Sequence, residues 1–153
     1  MNLNLVCIGR KMPGWVEQGW QDYQRRLPPH LPLKLIAMDS SRGGNAKEIQ
    51  QAEAELLRKR MPQPARVVAL DGAGQRWNTE QLAKQLEAWQ MDGRAVNFLI
   101  GGADGLDASL LAEVDQHWSL GPLTLPHMLV RVILAEQLYR AWSLTQGHPY
   151  HRA

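Results

Sequence analysis

The sequence holds a single cysteine, Cys7. That excludes a disulfide framework inside the chain, and it excludes a cysteine cluster for zinc. Cys7 stands in an apolar stretch, where a free thiol is ordinarily buried and inert. No apolar run reaches the ~18 residues that span a bilayer. Met1 to Gly9 lacks the basic start and long apolar segment of a signal peptide, so the expected location is cytoplasmic, with no membrane partner. Internal repeats, low-complexity segments and linkers are missing too. Neither common nucleotide motif is complete. Gly72-Ala-Gly74 is followed by Gln75, Arg76 and Trp77, so the dinucleotide pattern fails at its third glycine, and no Walker A pattern exists. His127 and His148 are scattered, with no carboxylate at metal-ligand spacing, so no metal site is expected.

What remains is an ordinary globular composition, 44% hydrophobic and 21% charged over 153 residues. That supports a single domain over residues 1–153 with its own core. The net charge is only +2, but residues 1–76 carry +5 and residues 77–153 carry −3. A basic half beside an acidic half suits a polyanionic partner engaged from one side, and it equally suits a mixed solvated surface.

Strand and helix patterns alternate along the chain. Asn2 to Gly9 reads as a buried strand. Val16, Trp20, Tyr23 and Leu27 recur at helical spacing, and Pro28-Pro29 ends that helix. Leu33 to Met38 is a second strand, and Ala46 to Met61 a helix with Ile49, Ala52, Leu56 and Leu57 inward. Arg66 to Asp71 is a third strand, closed by a tight Gly72-Ala-Gly74 turn. Asn78 or Thr79 caps a helix carrying Leu82, Leu86 and Trp89. Ala95 to Ile100 is a fourth strand, followed by Gly101-Gly-Ala-Asp-Gly105, a short helix from Asp107 and a fifth strand at Trp118 to Leu120. After the loop Gly121 to Leu125, Pro126 opens a helix to Thr145. The pattern predicts an α/β fold with a largely parallel sheet and helices on both faces.

The last helix is apolar almost all round, apart from a stripe of Glu136, Gln137, Arg140 and Ser143. It should be buried on several sides, by its own chain or by a second subunit. Arg131 falls in the apolar arc, and a buried cation needs a partner. Candidates are a carboxylate or backbone carbonyls across a dimer, or a phosphate of a polyanionic partner; otherwise the side chain snorkels to water. Arg131 is expected to line the ligand pocket near a subunit boundary, where a catalytic residue would stand. Three loops, Asp71 to Gly74, Gly101 to Gly105 and Gly121 to Leu125, fall at the carboxyl ends of strands, where open α/β sheets bind ligands.

The stretches Leu99-Ile-Gly-Gly102, Trp118-Ser-Leu120, Leu123-Thr-Leu-Pro-His127, Val130-Arg-Val132, Ala135-Glu-Gln-Leu-Tyr-Arg-Ala-Trp142 and His148-Pro-Tyr-His-Arg152 closely resemble the ribosomal large subunit methyltransferase H family, of the SPOUT class. Lys11-Met-Pro13, Arg25-Arg26 and Trp89-x-x-Asp-Gly93 extend the resemblance over the whole chain. It implies a C-terminal trefoil knot, a homodimer, and transfer of methyl from S-adenosyl-L-methionine to N3 of pseudouridine-1915 of 23S ribosomal RNA, on the assembled ribosome. By position it implies cofactor contacts at Leu70, Gly101, Leu120, Gly121, Pro122, Leu123, Thr124 and Leu125. Gly121-Pro122 departs from the Ser and free N–H expected there, and Pro122 cannot donate a hydrogen bond.

The transfer itself needs a base for the N3 proton. His151 is the candidate, with Tyr150 and Arg152 beside it to hold ring carbonyls or a phosphate. For RNA, the candidates are Arg10, Lys11, Arg25, Arg26, Arg42 and Arg152. Trp15 lies off the helix stripe and suits either stacking on a base or the core. Two other readings stay open: a different nucleotide-binding α/β enzyme, and a non-catalytic ribosome-binding factor. Against the first, the Gly101–Gly105 loop has no basic neighbour and carries Asp104, with Asp107 close behind, which would repel phosphate.

Overall fold

The computed structural model describes residues 1–40 and 43–152. Arg42, one of the basic residues proposed for RNA, lies outside them. Five parallel strands form one sheet, in the order β2-β1-β4-β3-β5. They are β1 (Leu3–Ile8), β2 (Leu33–Met38), β3 (Ala65–Arg76), β4 (Ala95–Ile100) and β5 (Gln116–Ser119). Five helices connect them: α1 (Gly14–Arg26), α2 (Ala46–Arg60), α3 (Thr79–Asp92), α4 (Ala108–Glu113) and α5 (His127–Thr145).

Two apolar clusters show how the layers pack. Leu3, Leu5, Cys7, Phe98 and Trp118 on one sheet face meet Trp20 of α1, Leu86 and Trp89 of α3, and Leu134 and Leu138 of α5. Val6, Ile8 and Leu99 on the other face meet Ala54 and Leu57 of α2 and Leu110 of α4. Apart from Asn4 and Asn97, which hydrogen-bond to each other, the central strands β1 and β4 are apolar on both faces because both are covered. The helix starts follow their capping residues. Asn78 and Gln81 form a reciprocal capping box at α3. Asn45 accepts from Glu48 N–H at α2, and Asp107 from Ser109 N–H at α4. Gly93 ends α3 in the left-handed conformation that glycine adopts without strain.

Four expectations need correction. Gly72-Ala-Gly74 does not end β3. The strand runs on to Arg76, and Leu70 and Gln75 both pair with Trp118. Residues 71–74 are therefore extruded as a bulge, a device that bends a strand near its end. A Cβ on Gly74 would sit 2.6 Å from the His117 carbonyl carbon, so only glycine allows this close backbone approach. On α2 the inward residues are Glu53, Ala54 and Leu57, with Ile49, Ala52 and Leu56 half-buried, because a carboxylate takes part of the inner arc. On α5, Ser143 is buried; its hydroxyl donates to Arg140 O, which lets it leave the polar stripe. Pro126 caps α5 from the position just before the helix.

Among the described residues no helix is long and apolar enough to cross a membrane. No group of three or more His, Cys, Asp or Glu among them is placed to hold a metal.

Candidate active site

A cavity of about 400 Å³ opens at the carboxyl edge of the sheet, between β3, β4 and β5 and the start of α5. Its walls come from all three loops singled out above. Leu70, Asp71 and Gly72 stand on one side, Gly101, Gly102, Ala103 and Gly105 on a second, and Leu120, Gly121, Leu123 and Leu125 on a third. Trp118, Ile100, His127 and Val130 complete it. Such a volume suits a small organic ligand.

Each wall has its own support. The Gly101–Gly105 loop turns back so tightly that a Cβ on Gly101 would lie 2.6 Å from the Gly105 carbonyl carbon. Behind it, α2 acts as a brace. The Gln50 amide donates to Asp104 O. The buried Glu53 carboxylate lies where a Cβ on Gly102 would be, 2.6 Å away, and accepts from the Ser40 hydroxyl at 2.5 Å. Asp107 is committed to capping α4. Hydrogen bonding from Ser109 holds its carboxyl below the usual range, burial opposing. The Ser119 hydroxyl closes the third loop, accepting from Gly121 N–H at 3.1 Å and lying 3.3 Å from Gly121 O. Gly121 has φ 118°, a left-handed value that a side chain would strain.

The first turn of α5 is pinned to the end of β1. His127 Nε2 lies 2.6 Å from Ile8 O; a carbonyl only accepts, so Nε2 carries the proton. One turn on, Arg131 Nη2 donates to Ile8 O at 3.1 Å and to Gly9 O at 2.5 Å. Arg131 is fully buried. Nη2 finds its partners in carbonyls of its own chain, because β1 ends beneath α5 with these two carbonyls free to accept. Its neighbours His127 and Val130 line the cavity of this chain, and Arg131 is not among the described wall residues.

Leu70, Gly101, Leu120, Gly121, Leu123 and Leu125 thus meet at one cavity. Pro122 and Thr124 do not reach its wall. Both are exposed, while Gly121, Leu123 and Leu125 of the same loop line the cavity. The sequence reading missed His127 and Trp118 as lining and gave Asp71 no role, although its position at the end of a strand was a signal.

The tail is elsewhere. Pro149–His151 forms a single 3-10 turn, and the His148 ring accepts from Tyr150 N–H. The Tyr150 hydroxyl donates to Glu136 at 3.1 Å and lies 3.4 Å from the Tyr23 hydroxyl. Its ring packs edge-on against Tyr139, under the Arg140 guanidinium. Burial and the hydrogen bond with Tyr23 push the phenol well above its ordinary range, so Tyr150 stays protonated. His151 Nδ1 is buried with no hydrogen-bond partner, and Arg152 is exposed. None of the three lines the cavity of its own chain.

A second cavity shares Trp118, Leu120, Gly121 and Leu125 with the first and adds Arg76, Trp77, Ser119, Ile133 and Gln137. Of the proposed RNA contacts, Arg10 and Arg25 are exposed, each about 4 Å from an aspartate. Lys11 is exposed as well. Arg26 pairs with Asp22 at 3.0 Å. Trp15 is 63% exposed, which removes it from the core.

The comparisons with known proteins bear on what this site is. The family model described as "Predicted SPOUT methyltransferase" matches residues 1–151. The chain belongs to the SPOUT methyltransferases. A ribosomal RNA large subunit methyltransferase H of Azotobacter vinelandii is 46% identical over 155 residues, covering 99% of this chain and all of the relative. The structure of a probable methylase family protein from Haemophilus influenzae superposes with a TM-score of 0.58 at 13% identity, covering 99% of this chain and 70% of the other; that likeness concerns fold alone. SPOUT methyltransferases take their methyl group from S-adenosylmethionine. The cavity of this SPOUT methyltransferase fits that donor. Leucines offer apolar faces to a flat adenine, and the glycine loops bring backbone N–H and C=O groups to its polar edges. No cationic side chain among the described wall residues is suited to a phosphate.

Proposed function

We propose that this SPOUT methyltransferase methylates N3 of pseudouridine-1915 of 23S ribosomal RNA, on the assembled ribosome and as a homodimer. The full-length 46% identity to a ribosomal RNA large subunit methyltransferase H carries the substrate. The cavity supports the chemistry. Bound S-adenosylmethionine would supply an electrophilic methyl on a positively charged sulfur. Leu70, Leu120, Leu123 and Leu125 would hold the adenine, and the Gly101–Gly105 loop would approach the rest of the donor closely.

The position of the tail supports the dimer. The cavity lies at the first turn of α5, and Tyr150 is anchored near its middle and on α1. In this reading His151, Tyr150 and Arg152 serve the cavity of a second copy. There His151 takes the N3 proton, Tyr150, anchored through its hydroxyl to Glu136, sets the turn that presents the tail to the target ring, and Arg152 holds a phosphate. Half-buried Leu129 and Ile133 on α5 give that copy an apolar face to cover. Family membership further implies that the chain beyond Ser119 is threaded as a trefoil knot.

The test supplies labelled S-adenosylmethionine with intact ribosomes, separated subunits or naked 23S RNA, then maps the methyl by mass spectrometry of digested RNA. Label at N3 of pseudouridine-1915 from intact ribosomes is expected. Label on another nucleotide, or none from any RNA, overturns the assignment. Sedimentation should give about twice the 17.3 kDa of one chain. Monomer mass at micromolar concentration contradicts the shared site.

A further inference from the structure

Among the described residues Asp71 is the one carboxylate on the cavity wall, and no lysine or arginine shares that wall. The other polar side chain there, His127, has its Nε2 committed to Ile8 O. The bulge puts Asp71 in place. Leu70 and Gln75 take the same partner on β5, so residue 71 leaves the ladder at the cavity mouth instead of continuing the strand. Asp71 Oδ1 accepts from Ala73 N–H at 3.4 Å, a local turn that restrains the carboxylate. Oδ2 lies 3.9 Å from His117 Nδ1, which adds a charge only when the ring is protonated. The Asp71 side chain is 29% exposed, so its field inside the cavity is less screened than in open water.

We infer that Asp71 recognises the positive charge of the methyl donor and makes the cavity prefer S-adenosylmethionine to the demethylated product. This rests on the donor assignment above. The two molecules share adenine, ribose, ammonium and carboxylate. They differ by a methyl and by the charge on sulfur: a cation before transfer, a neutral thioether once the methyl has gone to nitrogen and sulfur has kept the bonding pair. Apolar walls and backbone dipoles hold the shared parts equally well in both. A fixed anion at the mouth is the feature of this site that reads the difference. A unit charge several ångströms from a half-exposed carboxylate is worth roughly a factor of ten in affinity. The same term favours exchange of spent product for fresh donor.

The experiment is calorimetric titration of the full-length protein and of Asp71→Asn, each with S-adenosylmethionine, S-adenosylhomocysteine and sinefungin. Sinefungin carries a protonated amine near the place of the sulfonium. The substitution should weaken S-adenosylmethionine and sinefungin roughly tenfold and S-adenosylhomocysteine less than about twofold. Asp71→Glu should recover part of the preference. Equal weakening of all three, or no change, overturns the inference and leaves the donor assignment standing. A wild-type protein that binds none of the three overturns both. A measurement on the wild type needs no variant. Raising salt from low concentration to about 0.5 M should weaken the two cationic ligands more than the thioether. Equal salt sensitivity also overturns the inference.

Discussion

Replacing Arg131 by methionine keeps most of the buried stem and removes the guanidinium. Two hydrogen bonds from a charged donor disappear, to Ile8 O at 3.1 Å and Gly9 O at 2.5 Å. Such bonds contribute about 1.5–3 kcal/mol each. Ile8 O keeps the His127 ring as a partner, and Gly9 O loses its side-chain donor. An opposing term exists. Arg131 Nε and Nη1 are buried without partners, so the cation is only partly satisfied, and removing it recovers several kcal/mol of desolvation. Guanidinium is weakly hydrated, which keeps that recovery at the low end. The balance is a net destabilisation of about 1–3 kcal/mol for Arg131→Met. Arg131→Ala adds the cavity left by the stem and should cost about 3–5 kcal/mol. Urea unfolding followed by far-ultraviolet circular dichroism, at one fixed protein concentration, measures both. For a chain of this size each kcal/mol moves Tm by roughly 2–4 °C. Arg131→Lys should rescue poorly, because an ammonium lacks the flat fork that spans two carbonyls. A methionine variant as stable as the wild type would refute the reasoning. The desolvation term would then outweigh the two bonds, and the tie between β1 and α5 would contribute nothing.

Gly101→Val should abolish S-adenosylmethionine binding in calorimetry while the sheet persists by circular dichroism; the Cβ strikes the Gly105 carbonyl, so the loop is deformed before any ligand arrives. Normal affinity in that variant would mean the cavity is not the donor site. Deleting Tyr150 to Arg152 should leave donor affinity nearly unchanged and remove methyl transfer, since the tail lies off its own chain's cavity; wild-type turnover in a filter-binding assay would strip the tail of its role. Burial raises the Cys7 thiol to about 11, with Arg131 pulling the other way. A raised thiol contributes stability that is complete below its unfolded value and is lost as pH rises toward 11. Native protein should therefore resist thiol reagents at pH 8 and react once unfolded, and rapid native labelling would contradict the burial.

The sequence by itself determined the order and type of the elements. Periods of two and near 3.6, proline stops and capping residues are local signals, and Asn78 with Gln81 or Leu33 to Met38 can be read without knowing what lies across the sheet. It also placed three loops at the carboxyl edge, because alternating strands and helices force a parallel sheet. Tertiary structure decided the rest, since the deciding partners are far apart in sequence. The bulge at residues 71–74 exists because Leu70 and Gln75 of β3 both pair with Trp118 of β5, and a Gly-x-Gly read locally is only a turn. Arg131 looked like a cation awaiting a dimer or an RNA; its partners are carbonyls 122 and 123 residues away. Glu53 is buried because Gly102, 49 residues on, packs against its carboxylate, a contact no local pattern shows. The tail's separation from its own cavity is a fact of distance that no motif encodes. Backbone carbonyls and glycine surfaces carry no mark in a sequence, and here they choose which side chains are buried and which face the site.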